Sequence, residues 1–232
     1  MSSTTGDAEK GRVEPVNNGT ARDVQEYGND PVSYSRYPTA HIANPGPVGL
    51  FNFAATTFIL SLYNVRTRGI TDSDTVIGMA VFGGGLSQFI AGMWEFPRGN
   101  VFGATAFTSY GAFWMSYALI SLPGTGIQAS YANPQEFANA FGIFLIAWFM
   151  ITFFFLLAVL RRNIAFSCLL TALDLALLML AIAEFTASPQ VLKAGGVFGI
   201  ITGLIAFYIA VSELLRAEDR AVVRLPLGVL HT

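Results

Sequence analysis

The hydrophobic and polar positions divide the chain at about residue 43. Residues 1–43 are polar, mixed in charge and rich in Ser, Thr, Asn and Gly. Such a segment cannot bury enough apolar surface to order itself. No apolar run follows its start, so it does not read as a signal peptide. From Pro47 onward the chain becomes a succession of apolar runs, each close to the roughly 20 residues a helix needs to cross a hydrocarbon core. Six such runs fall at about 48–65, 75–95, 102–122, 137–160, 164–186 and 194–215. Turn and charge signals separate them: RTRGITDSD, FPRGN, PGTGIQASYANPQ, RRN and ASPQ. The pattern predicts an all-α membrane protein with a disordered N-terminal tail over 1–43, a six-helix transmembrane domain over 44–215 and a short C-terminal tail over 216–232. The third run mixes aromatics with Gly, Ser and Thr, and predicts a helix that lines a cavity or lies buried in the protomer.

Composition agrees. The 232 residues are 53% hydrophobic and only 12% charged, with a mean hydropathy of +0.53, whereas soluble domains carry about a quarter charged residues. The net charge of −2 says nothing of partners, but no basic cluster suits a nucleic acid or an anionic surface. The single cysteine, Cys168, forbids an intrachain disulfide or a thiol metal site. The two histidines, His41 and His231, lie near the ends, so neither a buried histidine proton relay nor a histidine metal site is expected, and no motif points to a cofactor. The tail reads either as a phosphorylation-regulated segment or as an inert one. Arg36, Arg98, Arg161, Arg162, Arg216, Arg220 and Arg224 fall on one side of a six-span topology and Arg66, Arg68 and Lys193 on the other. The excess of basic residues predicts that both termini are cytoplasmic.

Within the runs, Gly78, Gly85 and Gly92 recur every seven residues, and Gly195, Gly199 and Gly203 every four. Lipid gives no hydrophobic drive for helix association, so stripes of small residues predict close packing. Gly83, Gly84 and Gly85 exceed that need and permit a local break or a very close crossing. Gln88 and Glu95 share one side of the second span. Asp174 lies near the middle of the fifth, where a carboxylate facing lipid is expensive. Two readings stand for Asp174, proton coupling along a pathway or a structural hydrogen-bonded pair. Glu95 is the second candidate for proton coupling, and there an ion pair with Arg98, three residues on, is the competing reading. At the start of the first span, Asn44 suits a helix cap and Pro45 or Pro47 a first turn. The free N–H groups there attract anions such as a small carboxylate.

Two motifs then identify a resemblance. NPGPVGL resembles the NPAPLGL signature of the acetate uptake transporter family, with Gly46 and Val48 in place of alanine and leucine. FGGGLSQFIAGMWEFPRGNVFGATAFTSYGAFW is similar to the family's long run that follows. The likeness covers nearly all of residues 44–215. It implies six helices around a pore in each protomer, protomers assembled as a homohexamer, and acetate and related small carboxylates, succinate among them, as substrates. It also implies a pore constriction at Phe53, Tyr110 and Leu173. A hydrophobic constriction gates by dewetting, and the methyl and carboxyl of acetic acid suit an apolar ring flanked by polar groups. Asn44, Gln88, Thr105, Ser109 and Tyr110 are then the residues expected to hydrogen-bond the carboxylate. Glu95 repels an anion and is expected to orient its neighbours. The resulting expectation is a plasma-membrane transporter or channel, proton-coupled or channel-like. A membrane sensor for acetate or ammonium is the alternative. No metal cluster, nucleophile–base pair or cofactor motif points to an enzyme.

Overall fold

The computed structural model describes residues 42–218 and 220–230. The tail expected over 1–43 lies outside the described residues apart from its last two positions, as do His41 and His231. Six long helices carry the fold: α1 Gly46–Asn64, α2 Val76–Glu95, α3 Val101–Ser121, α4 Pro134–Val159, α5 Ile164–Thr186 and α6 Pro189–Ala217. Among the described residues there is no strand, only an isolated bridge between Asn163 and Val229. All but α3 are long and apolar enough to cross a membrane, which gives five candidate spans. The chain is an all-helical, multi-pass membrane protein.

Two helices begin before their apolar runs do. Asn133 accepts the Glu136 N–H (2.9 Å) ahead of Pro134, and Ser188 accepts the Val191 N–H (3.5 Å) ahead of Pro189. The ANPQ and ASPQ stretches are therefore helix starts, each a capping side chain followed by a first-turn proline. Their polar first turns hide them from a hydropathy reading.

Each helix packs on the next, and α6 packs back on α1, so the six close into a ring. The α3–α4 side is bridged by aromatic side chains. Phe113 stacks on Phe144 at 5.7 Å between ring centroids, and Tyr110 meets Trp148 at 6.3 Å and Phe155 at 5.8 Å. The outer flank of α4 carries Ile143, Met150, Phe154 and Leu157, all exposed, as suits a lipid-facing surface. α3 is the most enclosed helix, with ten buried residues. Its low apolarity matches its position.

The glycine run has a specific geometry. Phe82–Ser87 is a π-helical turn inside α2. The Gly84 N–H reaches across to the Thr56 hydroxyl of α1 (3.0 Å), which itself donates to the Asn52 carbonyl (2.8 Å). A Cβ on Gly84 would stand 2.7 Å from the Trp114 ring. Glycine is thus required where α1, α2 and α3 converge. The heptad stripe holds at two of its three positions. Cβ atoms on Gly85 and Gly92 would press on α3, whereas one on Gly78 would meet nothing. In the second stripe, Gly199 and Gly203 abut Ser61 and Phe58 of α1, but Gly195 abuts Leu180 of α5.

Gly92→Val should lower stability by about 1–3 kcal/mol through overpacking, because its Cβ faces the Thr108 backbone nitrogen and the Ala104 carbonyl. Gly78→Ala should leave stability unchanged or slightly raised. Thermal unfolding of the detergent-purified variants checks both; equal losses would contradict the assignment of these faces.

Candidate functional site

The ring encloses a cavity of about 400 Å³. One end is polar and built from the ends of five helices, the starts of α1, α3 and α5 and the C-terminal turns of α2 and α6. Asn44, just ahead of α1, is its hub. Its Oδ1 accepts the Gly46 N–H (3.0 Å) and an Arg98 guanidinium N–H (2.6 Å), while its amide donates to Glu213 Oε2 on α6 (3.3 Å). Arg98, in the turn between α2 and α3, also donates to Glu95 Oε2 (3.0 Å). Glu95 is 1% exposed. Asn100 caps α3 through the Gly103 N–H (3.1 Å), and Asn163 caps α5 through the Ala165 and Phe166 N–H groups (2.9 and 3.3 Å). These residues, together with Arg162, line the same cavity. Position 46 is occupied by glycine where a methyl would collide with Glu213 Oε2.

Away from this end the lining turns apolar, through Leu50, Phe102, Ala106, Phe107, Leu169 and Leu170, and reaches Phe53 and Tyr110. Those two rings, 5.6 Å apart, also line a second cavity of about 50 Å³ that contains Leu173, Thr57, Ser61, Asn64 and Trp114. Phe53 and Tyr110 therefore stand between the two chambers. The Tyr110 hydroxyl shares a 3.0 Å hydrogen bond with Thr152 of α4, which fixes its ring across the bundle.

The residues singled out from the sequence distribute unevenly. Asn44, Gln88, Glu95, Phe53 and Tyr110 line the large cavity, and Leu173 lines the small one. Gln88 is 1% exposed and its Oε1 has no hydrogen-bond partner among the described residues. Thr105 and Ser109 line neither chamber. Thr105 is exposed, and its hydroxyl donates to the Val101 carbonyl of its own helix (2.8 Å). Asp174 is 8% exposed, lines neither chamber, and its Oδ1 has no partner among the described residues. The structural pair expected for it is not formed there. The Glu95–Arg98 ion pair is present.

Glu213, Asn100, Asn163 and Val229 also reach the large cavity, as does Arg162, which the sequence marks only as a topology signal. Asn100 and Asn163 carried a readable signal, an asparagine directly before an apolar run. Nothing local marks Glu213 as a neighbour of Asn44, which is 169 residues away.

These features first define a class, a multi-pass helical membrane protein with two chambers inside the bundle meeting at an aromatic pair. Comparison with known proteins gives the family. Residues 27–230 match the GPR1/FUN34/yaaH family, and the chain belongs to it. It is 43% identical over 192 residues to the glyoxylate pathway regulator of Yarrowia lipolytica, covering 83% of this chain and 71% of that one. It is 42% identical over 200 residues to acetate permease A of Emericella nidulans, covering 82% and 67%. Its fold matches the solved structure of the bacterial acetate channel SatP with a TM-score of 0.71 at 34% identity, covering 80% of this chain and 99% of that one. The chain spans between 60% and 71% of the lengths of its first fungal relatives.

Removing Arg98 strands a buried carboxylate. Arg98→Ala should destabilise the protein by about 3 kcal/mol, and adding Glu95→Gln should recover part of that loss. A double-mutant cycle on thermal unfolding measures the coupling; additive losses would mean that the pair does not interact.

Proposed function

We propose that the chain is a membrane transporter or channel for acetate and other short-chain carboxylates, succinate among them, with six membrane-spanning helices around a pore. The observation that carries this reading is the pair of chambers meeting at Phe53 and Tyr110. A carboxylate admitted at the polar end meets the Asn44 amide and Arg98 and then the Gln88 amide, whose unpartnered Oε1 can accept from the O–H of the undissociated acid. Tyr110 and Phe53, with Leu173 beyond them, form the constriction. A methyl group passes such an apolar ring readily, while a bare inorganic ion loses its hydration there without replacement. Glu95 and Glu213 oppose free anion accumulation and hold Arg98 and Asn44 in place. Transport is better supported than a sensor, since both a permease and a channel stand among the relatives.

The remaining expectations belong to the same reading. The transport domain covers 44–215, protomers assemble as a homohexamer in the plasma membrane, and basic residues at the Arg98 and Arg162 end put that end and both termini in the cytoplasm. Thr105 and Ser109 have no part in carboxylate binding in this scheme, because both lie off the path. Asp174 and Glu95 are the candidates for proton coupling. Among the described residues Asp174 is a buried carboxylate without an ionic partner, whereas Glu95 is paired with Arg98.

Purified protein in liposomes should take up labelled acetate, and an inward proton gradient separates symport from channel-like passage. Absence of uptake under both conditions would overturn the reading. Phe53→Ala and Tyr110→Ala should widen the range of accepted acids, raising succinate relative to acetate by roughly tenfold, the order of discrimination carried by small changes in pocket size. Wild-type selectivity in both variants would remove the constriction from this position. Asp174→Asn should flatten the pH dependence of uptake; an unaltered profile would exclude Asp174 from the proton path.

A further inference from the structure

The segment after α6 does not leave the bundle. The Leu225 carbonyl accepts the Ser212 hydroxyl (2.7 Å) and the Pro226 carbonyl accepts the Tyr208 hydroxyl (2.6 Å), both from α6. Leu227 is buried, at 5% exposure. The Gly228 and Leu227 carbonyls then accept the Ile164 and Ala165 N–H groups at the start of α5 (3.0 and 3.1 Å), and the Leu230 N–H returns to the Arg162 carbonyl (3.1 Å). Gly228 has φ +67°, and a Cβ there would press on Ile164, so the turn over α5 depends on glycine. Residues 225–230 thus form a strap from α6 to the α4–α5 turn.

Two consequences follow for the large cavity. First, the strap takes up the Ile164 N–H, which would otherwise be open to an anion, and shares the Ala165 N–H with the Asn163 cap. Second, it places Val229 in the cavity wall beside Arg162 and Asn163. Val229 is the one described residue beyond α6 that does so.

We propose that the strap is a fixed wall of the passage and that Val229 sets the size of acid admitted at the polar mouth. This inference rests on the transport reading above. A residue in a wall changes which guest fits, whereas one that only secures the fold changes how much protein is active. The test is therefore the ratio of butyrate to acetate uptake in proteoliposomes. Val229→Trp should lower that ratio several-fold with acetate uptake retained, and Val229→Ala should raise it. Val222→Trp, on a residue 97% exposed and away from the cavity, should leave it unchanged. Size-exclusion profiles establish that each variant is folded. Wild-type acetate uptake with the same ratio in both Val229 variants would overturn the proposal alone. No acetate uptake by the wild type would overturn the transport reading and this inference with it.

Discussion

The arrangement depends on how closely α1 and α2 can approach. In lipid no water waits to satisfy a backbone group released from a helix. Within the π-helical turn at Phe82–Ser87 the Gly84 N–H nevertheless reaches another helix, where the Thr56 hydroxyl accepts it. That contact needs glycine on one helix and a small hydroxyl on the other. It also sets the register of the cavity wall. Phe53 lies one turn before Thr56 on α1, and Gln88 one turn after Gly84 on α2. Both then point inward. If the helices stood farther apart, the two residues would no longer bound the same space.

The opposite side of the ring uses a different solution. α3 and α4 do not approach closely; rings fill the gap. Phe113, Phe144, Trp148, Phe155 and Tyr110 form a bridge that is broad and stiff, because aromatic side chains carry few torsions and pack at defined separations. Two hydroxyls of α3 need neither neighbour nor water. Thr105 and Ser116 bond carbonyls of their own helix (2.8 Å each), so they are satisfied without a pore or a partner. Polarity along α3 is therefore a poor guide to which of its faces is wet.

Much of the fold was legible because a hydrocarbon solvent demands long apolar runs, and those runs are visible in one dimension. The helix starts at Pro134 and Pro189 were misplaced because their first turns are polar. Of the site, Asn44, Gln88, Glu95, Phe53 and Tyr110 could be located through motifs that lie on two nearby stretches of chain. Thr105 and Ser109 line neither chamber, and residue type alone does not reveal direction around a helix axis. Glu213 and Val229 could not be read at all, since their proximity to Asn44 and Arg162 exists only after the ring has closed.

The unequal chambers have one more consequence. A guest passing from about 400 Å³ to about 50 Å³ enters a space with room for few water molecules beside it. Crossing between Phe53 and Tyr110 is then a dehydration step. Shedding a shell is far cheaper for a neutral molecule than for an ion. The undissociated acid and its anion, identical in shape, would meet very different barriers at the same pair of rings, and a proton arriving with the carboxyl group would act as a substitute for the water left behind.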